Sequence, residues 1–163
     1  MRLQLIANPV AGRGAMALIQ QARQRLLDSG NDVELFLTRG RGDAERYAAL
    51  AAAGGFDRIV VAGGDGTVNE VVNGMAADSP PLAILPLGTT NVLALEIGLP
   101  RRFEEACDLA LHGKATPIYL GLADQRRFVL MAGVGFDADV VRGVNLRLKR
   151  AFGKGAYLVS SCR

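Results

Sequence analysis

The chain has 163 residues, half of them apolar and 21% charged, with six prolines and 20 glycines. That is enough for one domain with a real core and too short for two full-sized ones, and it excludes a disordered or collagen-like chain. The net charge of +3 is uneven. Residues 1–136 carry 13 basic and 14 acidic side chains, and residues 137–163 carry six and two. This is not the uniformly basic surface of a nucleic-acid binder.

No apolar run reaches the ~18 residues that a membrane-spanning helix needs, and the N-terminal run is too short for a signal peptide. Two cysteines, Cys107 and Cys162, make no disulfide framework, and with one histidine, His112, and no CxxC they predict no zinc site. His112 reads as a surface or capping residue.

Leu3 to Ala7 is a first strand, broken by Asn8-Pro9. Residues 14–28 place Ala15, Leu18, Ile19, Ala22 and Leu26 at helical spacing. Val33 to Thr38 is a second strand, and the alanine-rich residues 42–53 predict a helix stopped by Gly54-Gly55. Ile59 to Ala62 is apolar throughout, the pattern of a strand covered on both faces. A helix over 67–76, a strand over Leu82–Leu85, a helix over Thr89–Ile97 and a helix over 102–112 follow, the last with Cys107 on its inward face. Strand and helix alternate four times, which predicts a parallel sheet with helices on both faces and ligands at the carboxyl ends of the strands.

After Gly113 the pattern changes. Ile118, Leu120 and Leu122 alternate with Tyr119 and Gly121, Asp124-Gln125 is a turn, and Phe128 to Ala132 is a second strand. This predicts an antiparallel hairpin opening a different, β-rich domain. Two strands leave unpaired edges, so the expected division is an α/β domain over 1–113 and an incomplete second domain over 114–163.

The chemistry concentrates in three strand-to-helix loops. Gly63-Gly64-Asp65-Gly66-Thr67 follows a buried strand. Its glycines permit positive φ and close ligand approach, so its amides predict an anion nest reinforced by the next helix N-terminus. Asp65 is the exception, because a carboxylate beside phosphate calls for a metal ion or for work as a base; the plain alternative is a turn or cap residue. Thr67 and Glu70 have capping-box spacing, and Asn69 and Asn73 lie off the apolar stripe. The segment Asn8-Pro9-Val10-Ala11-Gly12-Arg13-Gly14 is a second donor-rich loop and not a Walker P-loop. Pro86-Leu87-Gly88-Thr89-Thr90-Asn91 is the third.

These loops resemble the diacylglycerol kinase catalytic domain family, which includes bacterial lipid kinases and the sphingosine and ceramide kinases. The residues that carry the resemblance are Asn8-Pro9…Gly12, Gly63 to Thr67 with Glu70-Val71, and Pro86…Gly88-Thr89…Asn91. Gly133-Val134-Gly135-Phe136-Asp137-Ala138 and Lys154 to Leu158 are similar to segments of the family's second domain. GGDGT alone is shared with NAD kinases.

The resemblance implies a Rossmann-like nucleotide domain followed by a β-sandwich-like substrate domain. It implies a cytoplasmic kinase moving the γ-phosphate of ATP to a lipid such as diacylglycerol, in phospholipid metabolism, with Mg²⁺. Asn8, Pro9, Val10, Ala11 and Gly12 would line the nucleotide, with Thr38 at the end of strand two. Gly63, Gly64, Asp65, Gly66, Thr67, Val68, Asn69 and Glu70 would surround the phosphates, and Gly88, Thr89 and Asn91 would complete the site. Asp65 would sit near the transferred phosphate. Val92 and Leu95 depart from the family's common Asp and Arg. The bacterial members' magnesium ligands and general base lie later in their second domain, so no metal ligand is assigned here and these residues alone are expected to turn over poorly.

Arg142, Arg147, Lys149, Arg150 and Lys154, interleaved with Leu146, Leu148 and Phe152, read either as a patch for anionic membrane at the inner face or as a solvated face. A NAD kinase-like enzyme and a non-catalytic nucleotide-binding module are the competing readings; nucleic-acid binding ranks last.

Overall fold

The computed structural model describes residues 1–133, of which Met1–Leu130 form one compact unit. Its elements are β1 (Arg2–Ala7), α1 (Ala15–Asp28), β2 (Asp32–Leu37), α2 (Asp43–Ala48), β3 (Arg58–Gly63) and α3 (Asp65–Gly74). Then come β4 (Leu82–Pro86), α4 (Val92–Glu96), α5 (Phe103–His112), β5 (Gly121–Ala123) and β6 (Arg126–Phe128). Strands β2-β1-β3-β4 form one parallel sheet in that order, and β5 and β6 form a separate antiparallel pair. Leu5 stands between Leu35 and Val60 in register, and Val60 beside Ala83.

The apolar strands are apolar because helices cover both faces. Leu3, Leu5, Ala7, Val60 and Ala62 pack against Ile19, Ala22 and Leu26 of α1 and against Ala106, Cys107 and Ala110 of α5. The alternate residues Ile6, Ile59 and Val61 pack against Ala44 and Ala48 of α2 and Val68 and Val71 of α3. Gln4, fully buried on that second face, donates from Nε2 to the Tyr47 carbonyl at 2.7 Å. A Cβ on Gly74 would run into the backbone carbonyl of Glu45, so at this point the backbones of α2 and α3 approach closely.

Three elements besides α3 differ from the pattern reading. Helix α2 ends at Ala48 rather than at residue 53, because the amides of Leu50 and Ala51 bond three residues back, to Tyr47 and Ala48, and tighten the chain into turns. Gly55 at φ 66 completes the reversal. Helix α4 starts at Val92, not Thr89, because Asn91 sits in the left-handed region at φ 47. The hairpin has the predicted type and turn, with Asp124 at φ 53, but its strands are three residues each and Ile118 to Leu120 lie in neither. The calls on Val134–Ala138, on the basic stretch, on residues 154–158 and on Cys162 lie outside the described residues.

Candidate functional site

Because the sheet is parallel, β1, β2, β3 and β4 all deliver their following loops to one edge. The three glycine loops meet there. The Asn8 amide donates to the Ala62 carbonyl at 2.9 Å, and Asn8 Nδ2 reaches Thr67 Oγ1 at 3.3 Å. Asn8 Oδ1 accepts the Val10 amide at 3.0 Å, which turns the first loop outward. The Leu87 amide donates to the Gly63 carbonyl at 2.9 Å, and Asn91 Nδ2 donates to the Gly88 carbonyl at 2.8 Å. Thr38 follows β2, its amide on the Ala7 carbonyl at 2.9 Å.

The glycines of these loops do two different jobs. A Cβ on Gly12 would overlap the Leu87 carbonyl, one on Gly64 would stand 3.2 Å from the Gly88 Cα, and one on Gly63 would stand 2.6 Å from the Thr67 Cβ. Gly12 and Gly64 are bare so that the loops can pack on one another, and Gly63 so that Thr67 can fold back over it. A Cβ on Gly66 meets nothing within 4 Å. Its missing side chain leaves open space at the start of α3.

Helix α3 begins at Asp65, two residues before the predicted start, so Asp65, Gly66 and Thr67 form its first turn. Two expectations change as a result. Gly64 is extended, at φ −99 and ψ −178, and Gly63, Gly64 and Gly66 are not among the positive-φ glycines. The free amides are therefore those of a plain helix N-terminus rather than of a left-handed nest. The Thr67–Glu70 capping box does not form either, because Gly64 is the N-cap and Thr67 Oγ1 is turned to Asn8. With no side-chain cap, the amides of Gly64, Asp65 and Gly66 have no partner among the described residues.

The Asp65 carboxylate is engaged by the start of α4. Its Oδ1 accepts the Leu93 amide at 3.0 Å, and its Oδ2 accepts the Val92 amide at 3.1 Å and the Thr90 hydroxyl at 3.3 Å. The carboxylate thus caps the first turn of α4 from across the cleft. Asn91, the local N-cap of α4, makes no such bond. Val68, placed at the site from sequence, is only 2% exposed and packs in the apolar cluster, so only its backbone is available there. Asn69 and Glu70 lie half-buried further along α3, while Pro9 and Ala11 are half-buried in the first loop and Val10 and Thr89 are exposed.

Three arginines at this edge went unread in the sequence. Arg13 in the first loop and Arg39 and Arg41 after β2 are exposed and make no ion pair among the described residues. Their position just past strand ends was the available signal. The Arg39 and Gly40 amides donate to Asp43 Oδ2 at 2.8 and 3.1 Å, closing that loop, and the Arg39 amide foremost holds the Asp43 carboxyl below its usual range. His112 is exposed at the last position of α5, and Cys107 is buried, its thiol pushed up to about 11 by desolvation.

Comparison with known proteins identifies a family. The model of the diacylglycerol kinase catalytic domain matches residues 2–123. The chain belongs to that family. It is 38% identical over 160 residues to the diacylglycerol kinase of Bacillus subtilis, covering 96% of this chain and 53% of that protein. It is 41% identical over 143 residues to a Pseudomonas putida protein named "Probable lipid kinase YegS-like", covering 86% and 48%. A crystal structure of a diacylglycerol kinase from Bacillus anthracis matches with TM-score 0.68 at 32% identity, over 78% of this chain and 45% of that one. This diacylglycerol kinase-family chain spans about half the length of the curated relatives it matches. Among the described residues no helix is long and apolar enough to cross a membrane. None of their His, Cys, Asp and Glu side chains gather in threes as metal ligands would.

Proposed function

We propose that the protein is an ATP-dependent lipid kinase and that the carboxyl edge of its parallel sheet is the nucleotide site. The observation that carries this is the start of α3, where three unpartnered amides stand beside the open space at Gly66. A helix N-terminus with free N–H groups favours a phosphate, which needs acceptors filled and negative charge met. Asn8 to Gly12 and Thr38 frame one side of that opening, and Gly88, Thr89 and Asn91 the other. Transfer of a γ-phosphate depends on holding it in line and neutralising its charge.

Magnesium fits this donor set through one carboxylate. Mg²⁺ takes oxygen ligands and is commonly held by one or two carboxylates together with substrate phosphates. Asp65 has one lone pair on Oδ1 left by its three bonds to α4 and Thr90. When bound, the ion would supply charge neutralisation on the phosphates. The chain's own work is to hold the phosphates on α3 and to keep the third loop in place through Asp65.

We assign residues 1–113 to ATP and 114–163 to the beginning of the acceptor-binding part, with residues 1–163 alone binding nucleotide and turning over poorly. Lipid access places the protein at the cytoplasmic membrane face through the basic stretch from Arg142 to Lys154. The reading is tested with the natural gene product, radiolabelled ATP and diacylglycerol, phosphatidylglycerol and sphingoid-base acceptors. Label in a lipid, lost in Asp65→Asn, is expected. Label in NAD instead, or ATP-dependent thermal stabilisation with no transfer, would replace it with one of the competing readings.

A further inference from the structure

The third loop and α4 are held down by one carboxylate. Among the described residues, every hydrogen bond that ties residues 89–97 to another element ends on Asp65. The donors are the Thr90 hydroxyl at 3.3 Å and the amides of Val92 and Leu93 at 3.1 and 3.0 Å. The segment's other bonds are internal or reach only its flanks. Asn91 Nδ2 donates to the Gly88 carbonyl at 2.8 Å, the Leu95 and Ile97 amides to the carbonyls of Asn91 and Leu93, and the Leu99 amide to that of Ala94. Apolar contact holds only the inner side. Leu93 and Ala94 are buried, Leu93 in the cluster with Val68, but Leu95 and Ile97 are 55% and 51% exposed. A segment with few buried contacts and few tertiary hydrogen bonds opens at low cost.

The closed arrangement also carries costs of its own. Asn91 stands in the left-handed region at φ 47 and ψ 50. Its Oδ1 is buried with no donor, which disfavours that position. This oxygen lies 2.6 Å from where a Cβ on Gly88 would stand, so a bare Gly88 gives it room. Gly98, at φ 67 with open space around it, ends the segment. Beneath the segment runs a crevice lined by Gly64, Val68, Ile84, Pro86 and Leu93, too narrow for a water molecule.

We infer that residues 89–97 are a lid over that crevice, bracketed by Gly88 and Gly98 and latched by Asp65, and that nucleotide arriving with a divalent cation releases it. The inference rests on the kinase reading, in which Asp65 meets a magnesium–nucleotide complex. Asp65 opens α3 beside the unpartnered amides, and its oxygens serve the latch with three bonds. A carboxylate that shares its charge with a divalent cation is a weaker acceptor, so Asp65 cannot serve both at full strength. Nucleotide without metal does not compete for it. Phosphate charge repels the carboxylate and leaves the α4 amides as its best partners. The hold on the third loop is therefore conditional on the metal. A ligand shifts such an equilibrium by its differential affinity, and the cation favours the form in which Asp65 is free.

The test is hydrogen exchange of the natural gene product without lipid, read at the amides of Val92 and Leu93 and, for reference, of Val60 and Val61 in β3. ATP is present at saturation, confirmed by titration calorimetry, in EDTA or with Mg²⁺. In EDTA the Val92 and Leu93 amides are expected to exchange within twofold of the ligand-free rate. With Mg²⁺ they are expected to exchange at least threefold faster, the β3 amides staying within twofold. Asp65→Ala without ligand is expected to speed the pair at least tenfold, and ATP with Mg²⁺ to add nothing further. If Asp65→Ala does not fold, Thr90→Val removes one of the three bonds and is expected to speed the pair at least twofold. A rise below threefold with ATP and Mg²⁺ in the unaltered protein, or a slowing, overturns the inference, as does an unchanged rate in the latch variant. Absence of ATP binding would take down the kinase reading and the lid together, whereas bound ATP with an unmoved Val92–Leu93 pair removes the lid alone.

Discussion

The two edges of the sheet use the same residue types to opposite ends. At the amino edge the arginines are consumed by the fold. Arg2 opens β1, donates to the Gly54 carbonyl, pairs with Glu34 at 3.0 Å and lies 4.5 Å over the Phe56 ring. Arg58 opens β3 and donates to the carbonyls of Ala110, Leu111 and Gly113, closing the end of α5. At the carboxyl edge Arg13, Arg39 and Arg41 have no ionic partner among the described residues, and the amides at the start of α3 have none either. Among the described residues one edge is satisfied within the chain and the other keeps donors in reserve.

The largest effects should come from removing what makes each edge. Gly12→Ala forces a methyl group onto the Leu87 carbonyl and is expected to cost ~1–3 kcal/mol in urea unfolding, with the ATP-induced thermal shift lost as the loops part. Arg58→Ala strands the α5 carbonyls for a similar ~1–3 kcal/mol, but leaves that shift intact. If both variants lose the shift, the edges are not separate in function.

Asp65→Ala removes the cap on α4. It is expected to cost ~0.5–2 kcal/mol and to abolish lipid phosphorylation; transfer surviving in this variant would make Asp65 a cap alone. Gly66→Ala sharpens the contrast among the glycines. It lies in a helical turn with open space around it, so calorimetry should show stability raised by up to about 1 kcal/mol, while ATP affinity falls at least tenfold. An unchanged affinity would leave that space without a ligand.

Exchange of Arg13, Arg39 and Arg41 for Gln should leave stability within about 0.5 kcal/mol. It should weaken ATP binding and flatten its salt dependence, measured by titration calorimetry at two ionic strengths. The smallest effect lies away from both edges. Burial raises the Cys107 thiol to about 11 from 9.0, so the unfolded chain loses that proton first. The thiol's contribution to stability is complete below pH 9 and is lost as the pH rises toward 11. Iodoacetamide at pH 8 should label it only after unfolding.

Much of this was legible because it is local. The uninterrupted apolar run Ile59–Ala62 announced a strand covered on both faces, and the stripe in α5 put Cys107 in the core. The three glycine loops were found by their position after strands, and the family by their residues. What misled the reading was also local. Alanine-rich residues 49–53 have the propensity of helix, but the turn that returns the chain to β3 outranks it. Glycine in GGDGT suggested positive φ because the sequence does not say whether a missing side chain serves conformation, packing or a ligand.

The sequence by itself determined the alternation of strands and helices, the parallel sheet and the edge to which the three glycine loops run, because these follow from apolar periodicity and chain connectivity. Only the tertiary structure decided which glycine gives room to which neighbour, that Asp65 caps a helix 27 residues away in the chain, and that Asn73 pairs with the backbone of Arg127. Those contacts join residues far apart in sequence, and their geometry exists only once the sheet has set the loops and helices side by side.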